Sequence, residues 1–209
     1  MRKKDLEMLL SRVPPHPSPK LELEQYATPP HLAARIIWVA AFTYRDLPSN
    51  LVLDLGAGTG RLGLGAALVG SEYVVLVDVD REALRLALAT SRALHIDARV
   101  DALCGDATRL PLARKAPCSL QNPPFGVHRR GADVAFLRAA LKHSEKVYSV
   151  HKADSVEYVV SKCREEGAEA DVLFEEIVRI PPTMPHHYKR EHRVRVAVIR
   201  AVHFSPQSK

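Results

Sequence analysis

The tetrapeptide Asn122-Pro123-Pro124-Phe125, followed by Gly126, holds the residues whose types and order look most like chemistry. An exocyclic amino group on a nucleobase is a poor nucleophile, because its lone pair is delocalised into the ring. The side-chain amide oxygen of Asn122 and the main-chain carbonyl of Pro123 can accept its two N–H bonds and turn the lone pair outward. Pro124 stiffens the turn and offers no competing N–H, and Phe125 presents a face for a stacked base. Group transfer to such an amine is an in-line displacement that depends mostly on positioning. Taken in isolation, the four residues read more simply as a Pro-Pro loop with a buried Phe. Their place, downstream of a glycine loop and three acids, favours an active site.

The segment Asp54-Leu55-Gly56-Ala57-Gly58-Thr59-Gly60 lies between an apolar run and a helical pattern. Glycines there let the backbone turn sharply and approach a bound nucleotide. Asp78, ending the next apolar run, can accept from both hydroxyls of a ribose, and Asp106, in Cys104-Gly105-Asp106-Ala107, can meet an adenine amino group. All three acids fall at carboxyl ends of adjacent strands, where open α/β sheets bind ligands. A rival ligand is NAD, because Gly58-Thr59-Gly60-Arg61-Leu62-Gly63 matches GxGxxG and Asp78 follows about 20 residues on. Asp54, inside the strand, instead suits a cationic amino-acid tail without a pyrophosphate, and nothing downstream resembles a hydride-transfer site. The residues favour S-adenosylmethionine.

These side chains need a frame. Residues 1–12 are expected to form a short helix, and Pro14, Pro15, Pro17 and Pro19 bar regular helix until about residue 20. Leu21 to Thr28 reads as a loop, and Pro30 to Phe42 as a helix with Thr28 available as cap. Strands are expected at Leu51–Leu55, Tyr73–Val79, Ala98–Cys104, Pro117–Gln121 and Lys146–Val150. Helices are expected at Leu62–Leu68, Arg81–Leu94, Asp133–Lys142 and Asp154–Glu166, the last capped by Asp154 or Ser155. Pro117–Gln121 is short and less apolar than the strand before an active-site loop should be. Val172–Ile180 and Arg193–Phe204 alternate over long stretches and suggest a terminal hairpin. The result is an α/β, Rossmann-like fold: a mostly parallel sheet, helices on both faces, and a C-terminal antiparallel hairpin. Residues 1–209 form one domain, with 1–45 as an N-terminal helical and loop extension.

Composition fits this frame. At 46% hydrophobic and 26% charged residues, the chain is an ordinary globular protein, with no apolar run of the ~20 residues a membrane span needs. The basic N-terminus leads into an amphipathic charged stretch, not the apolar core of a secretory leader, so a cytoplasmic protein is expected. Cys104, Cys118 and Cys163 are far apart and read as small hydrophobes in a reducing compartment. The net charge of +6 makes an anionic partner a natural expectation. Arg129, Arg130, Lys152, Lys189, Arg190 and Arg193 are the candidate phosphate contacts, set against the commoner reading of solvated charge. His151 shares a basic cluster with Lys152. His186 and His187 lack a Cys or carboxylate at ligand spacing, so no metal is expected.

The motif Asn122 to Phe125 is the NPPF form of the (D/N/S)PP(Y/F/W) signature that amino-methyltransferases carry after their fourth strand. Beyond it, the chain resembles the small adenine-N6 methyltransferases of small-subunit ribosomal RNA, the methyltransferase-like 5 type. The resemblance runs through Leu23 to Tyr26 with Thr28, Asp54 to Gly60, Asp78-Val79-Asp80, Asn122 to Gly126, Gly131 to Leu137 and Val147 to Lys152. It implies a class I methyltransferase fold with S-adenosylmethionine as cofactor and RNA as substrate. It also implies that Gln25 and Thr28 fold over the cofactor, and that Gly56, Thr59, Arg61, Asp78, Asp106 and Ala107 line its pocket. Eukaryotic members are stabilised by a small zinc-binding activator protein that adds a strand to the sheet edge. From the residues alone, a DNA adenine or protein-glutamine methyltransferase, or a non-catalytic RNA-binding factor, stays open.

Overall fold

The computed structural model describes residues 1–126, 130–180 and 192–204. Of the residues named above, Arg129, Lys189, Arg190, His186 and His187 lie outside the described residues. Seven strands form one sheet: β1 (Val52–Leu55), β2 (Val74–Asp78), β3 (Val100–Cys104), β4 (Ala116–Gln121), β5 (Ser144–Lys152), β6 (Ala168–Ile180) and β7 (His192–His203). Their order is β3-β2-β1-β4-β5-β7-β6. The first five run parallel, β7 enters antiparallel beside β5, and β6 pairs antiparallel with β7 at the outer edge.

Helices α3 (Arg61–Leu68), α4 (Arg81–Ala93), α5 (Ala132–His143) and α6 (Val156–Glu165) fill the crossovers, and α1 (Lys3–Leu10) and α2 (Pro30–Trp38) precede the sheet. The core is split by the sheet. Val52 and Leu120 belong to one apolar cluster with Leu10, Ile37 and Leu64 from α1, α2 and α3. Leu53 and Leu55 belong to the other, with Leu137, Leu141 and Val159 from α5 and α6. Alternate strand residues therefore meet different helices, which is why these strands are apolar without alternation.

Several expected boundaries move. The helix from Pro30 is α-helical only to Trp38 and closes with a π turn over Val39–Thr43. Thr28 does not cap it: Pro29 holds that position with no side-chain bond, and the Thr28 hydroxyl is used elsewhere. At α6, Ser155 occupies the N-cap without a capping bond, its hydroxyl donating to Lys152 O. Polar β4 is a full six-residue strand between β1 and β5, with Ser119 and Gln121 fully buried. Gln121 Nε2 donates to Ser149 Oγ on β5 at 2.9 Å, a side-chain bond between directly paired residues of adjacent strands. Cys118 and Cys163 are buried, while Cys104 is exposed. Among the described residues no helix is long and apolar enough to cross a membrane.

Strand order reverses between β1 and β4, and the crevice beyond the carboxyl ends of those two strands is the ligand position in open α/β sheets. The glycine loop leaves β1 there, and Asn122 follows β4.

Candidate active site

Gly56 and Gly58 turn the chain out of β1 with φ of +69° and +53°. At Gly56 the need is also steric, since a Cβ would stand 2.8 Å from the Phe136 ring of α5. This loop, the ends of β1, β2 and β4, and the segment around residues 16–28 enclose a cavity of about 230 Å³. Among the expected cofactor residues, Gln25, Thr28, Asp54, Gly56, Gly58 and Thr59 line it. Arg61, Asp78, Asp106 and Ala107 line it too. Gly60 does not. A Cβ on Gly60 would meet Ala87 Cβ at 2.9 Å, so this glycine serves the packing of α3 against α4.

The three acids differ in how they are held. Asp54 is 2% exposed, and its Oδ2 accepts from Gly63 N at 2.7 Å. Burial pushes its pKa up to about 7, with the Asp78 charge adding to the rise and the Gly63 bond opposing it. Asp78 accepts from Gly58 N at 2.7 Å and Asp80 N at 2.8 Å, yet burial still raises its pKa. Each oxygen keeps a further lone pair for a ligand hydroxyl. Asp106 Oδ1 accepts from Thr108 N and Thr108 Oγ1 at the start of a short 3-10 turn, and its Oδ2 stands 3.7 Å from Arg109 Nε.

Arg61 is 8% exposed and lies against the N-terminal segment. Its Nη1 donates to Thr28 O at 2.6 Å, Nη2 donates to Val13 O, and the buried Nε has no partner. Among the described residues no carboxylate pairs with it, and burial lowers its pKa. The same segment is tied down at Asp80, the N-cap of α4, which takes Gln25 Nε2 at 3.0 Å and Lys20 Nζ at 2.9 Å. Burial alone would raise the Asp80 pKa, but Gln25, Lys20 and the α4 amides outweigh it and hold the carboxylate ionised.

The segment also grips the tetrapeptide. Asn122 Nδ2 donates to Thr28 Oγ1 at 3.0 Å, and Asn122 Oδ1 is buried with no partner. Phe125 N donates to Glu24 Oε2 at 2.7 Å, and the Phe125 ring meets Tyr26 at 5.2 Å between centroids. Asn122 and Pro124 line the cavity, whereas Pro123 and Phe125 do not. Phe125 sits instead between a small void behind Asn122 and an open groove outside it. Sequence reasoning gave no role to Glu24, Tyr26, Asp80 or Phe136. Asp80 is legible as an N-cap followed by a helical pattern, but the contacts of the other three depend on segments brought together only by folding.

The basic candidates divide. Arg130 is exposed and lines the same open groove as Phe125, and Lys152 Nζ stands 5.9 Å from the Phe125 ring centroid. Arg193 is exposed on β7 opposite Arg179 and lines neither cavity nor groove. His151 is no surface charge: it is fully buried, bonded to Ser149 Oγ at 2.7 Å, and burial pushes its pKa down to about 3. Among the described residues no cluster of His, Cys, Asp and Glu is arranged for a metal.

A doubly wound sheet with a glycine loop after β1, an acid ending β2 and Asn-Pro-Pro-Phe after β4 defines a methyltransferase of the Rossmann-like class. The methyltransferase small domain family matches residues 37–147, and the chain belongs to that family. It is 31% identical to the rRNA N(6)-adenosine-methyltransferase METTL5 of Danio rerio, covering 96% of this chain and 98% of that protein. An uncharacterized protein of Methanocaldococcus jannaschii is 32% identical over 96% of this chain and 94% of its own length. A solved candidate RNA methyltransferase from Pyrococcus horikoshii superposes with a TM-score of 0.86 at 30% identity, covering 98% of this chain and 99% of that one. The chain is an S-adenosylmethionine-dependent methyltransferase.

Proposed function

We propose that the chain transfers a methyl group to N6 of an adenine in RNA, within small-subunit ribosomal RNA. The observation that carries this is the buried, unpartnered Oδ1 of Asn122, whose amide is fixed by Nδ2 donating to Thr28. An acceptor left unmade in the interior costs about 1–3 kcal/mol, and an amine N–H entering beside Phe125 removes that cost. S-adenosylmethionine supplies an electrophilic methyl on sulfur. The work of the protein is then to hold the amine with its lone pair toward that methyl and to keep the base stacked on Phe125.

The cavity wall suits that cofactor. Asp54 receives the ammonium of its amino-acid tail, and Arg61 the carboxylate, which gives the buried guanidinium the anion it lacks. Asp78 takes the ribose hydroxyls, and Asp106 with Ala107 the adenine. Gln25 and Thr28 belong to the 1–45 extension, which closes over the site. Arg129, Arg130, Lys152, Lys189, Arg190 and Arg193 are assigned to phosphates, in keeping with the net charge of +6. We place the enzyme in the cytoplasm as part of the same proposal. A small zinc-binding activator that adds a strand to the sheet edge belongs to it too, and β3 and β6 are the two edges.

The test is mass spectrometry of nucleosides from ribosomal RNA incubated with the protein and labelled cofactor. Label on N6-methyladenosine is the expected result. Label only in protein, or only in DNA offered alongside, overturns the assignment.

A further inference from the structure

In a parallel crossover the helix returns from the catalytic end of the sheet to the opposite end, and α5 does so over about 18 Å for its 12 residues. Beside it runs an open groove of about 1060 Å³, walled at the catalytic end by Phe125 and Gly126. Arg130, Arg138, Lys142 and Lys115 line this groove, against the two acids Asp133 and Glu166. Arg138 Nε donates to Glu166 at 2.8 Å, but with half of the arginine side chain in water this pair holds weakly and can exchange for another anion. The excess of positive charge reaches the interior: burial, then Lys142 and Lys115, hold buried His143 below its ordinary pKa.

Tyr158 of α6 lines the same groove and is 55% exposed, with Lys162 Nζ 5.1 Å from its ring centroid. A single exposed tyrosine means little in itself. Set among cations in a channel that begins at the base-stacking residue, it matches the combination that single-stranded nucleic-acid grooves use, basic side chains for phosphates and aromatic rings for bases.

We propose that this groove carries the single-stranded RNA flanking the methylated adenine, with Arg138 and Lys142 on phosphates and Tyr158 stacked on a base. This rests on the RNA assignment above. A base drawn in beside Phe125 brings its neighbouring phosphates to the adjoining surface, and the groove is the basic path that starts there. None of Lys115, Arg138, Lys142 or Tyr158 touches the cofactor cavity.

The R138E/K142E double variant, Y158A and the charge-preserving R138K/K142R variant test it, with ribosomal RNA as probe and calorimetric binding of S-adenosylhomocysteine as the check on folding. R138E/K142E is expected to raise KM for RNA tenfold or more, with kcat and S-adenosylhomocysteine affinity near wild type. The dependence of log affinity on log salt should flatten by about 1.4, at roughly 0.7 per single-strand phosphate lost. Y158A should weaken RNA binding without changing that slope, and R138K/K142R should behave as wild type. Unchanged RNA affinity and slope in a double variant that still binds S-adenosylhomocysteine overturns the proposal. So does a double variant altered only in its sedimentation, which makes the groove a protein contact. Should wild type label no RNA, the proposed reaction fails, and the groove is still judged by the same RNA-binding slopes.

Discussion

Asp46 and Asp54 are both buried carboxylates, 6% and 2% exposed, and the fold treats them in opposite ways. Asp46 lies under β5 and β7, where Tyr148 and Arg200 each donate to Oδ2 at 2.7 Å and Lys146 stands 2.9 Å from Oδ1. Burial would raise its pKa, but Arg200, Lys146 and Tyr148 outweigh it and hold the carboxylate below the usual range. Asp54, beneath the glycine loop, has one backbone N–H and no cation among the described residues, and its pKa is pushed up to about 7. Arg61 and Asn122 Oδ1 repeat the pattern on the same cavity wall, each buried and incompletely partnered. Around Asp46 the chain completes a buried carboxylate from its own side chains. At Asp54 it stops short, and under the proposed function the partner is a ligand. The contrast belongs to these two acids, since Ser119, Gln121, Ser144 and His151 also bury an unpartnered atom away from the cavity.

The largest effect expected from this contrast is on stability. Asp46→Asn strands two cations that still reach some water, so a loss of about 3 kcal/mol is expected, near the lower end for breaking a buried pair. Asp54→Asn should cost the unliganded protein nothing at pH 8, because it removes an uncompensated buried charge. The pH signs differ too. The Asp46 contribution is present above the unfolded carboxylate pKa and fades as pH falls through its lowered folded value. The Asp54 carboxylate opposes folding increasingly from about pH 4 to about 7, so the relief from its removal grows through that window and is complete above it. Urea titrations of both variants at pH 5 and pH 8 check this, and equal destabilisation by the two would break the comparison.

Next in size is catalysis. Asn122→Ala removes the unpaired acceptor and should lower kcat on the order of a hundredfold or more, with S-adenosylhomocysteine affinity within a few-fold of wild type. Phe125→Ala should instead lose about 1–3 kcal/mol of base stacking and appear mainly in KM. If both variants keep full activity on RNA, the tetrapeptide is only a turn.

How much of this was legible in the sequence follows the same division. The apolar runs, the glycine loop and the order of strands and helices could be read because each depends on residues close in sequence. Thr28 was misread as a helix cap because its real partner, Asn122, lies 94 residues away. Gly60 looked like part of the ligand loop, but its constraint comes from Ala87 on the next helix. His151 beside Lys152 looked like surface charge because strand alternation gives no sign of which polar residue faces inward when both sheet faces are covered. Asp46 drew no attention at all, since its partners Lys146, Tyr148 and Arg200 lie on two distant strands.

Arg61 gives a smaller and sharper test. Its guanidinium is either a strut for the Val13 and Thr28 carbonyls or the receptor of a carboxylate. A charged hydrogen bond contributes about 1.5–3 kcal/mol, so wild type should prefer S-adenosylhomocysteine over its decarboxylated analogue by roughly tenfold or more. Arg61→Met should lose that preference. If both ligands weaken equally in the variant, Arg61 is only the strut.

At neutral pH, where Asp54 is only partly protonated, the expected effect is small, yet it separates Asp54 most cleanly from Asp46. With a pKa near 7 in the free protein, Asp54 is partly protonated at neutral pH, and only its carboxylate can accept a ligand ammonium. Binding must therefore release a proton below pH 7. The affinity for S-adenosylhomocysteine should fall by up to about tenfold per pH unit as pH drops below 7, and level off above it. Calorimetry in buffers of different ionisation enthalpy reads the proton directly, and Asp54→Asn should show weaker binding with neither the release nor the slope. Asp46→Asn, although far more damaging to stability, should leave both intact, because its carboxylate stays charged throughout this range and lies away from the cavity. An affinity that stays flat between about pH 5.5 and 7.5 in wild type would mean Asp54 is already ionised without a ligand. The distinction between an acid completed by its own chain and one completed by a cofactor would then be lost.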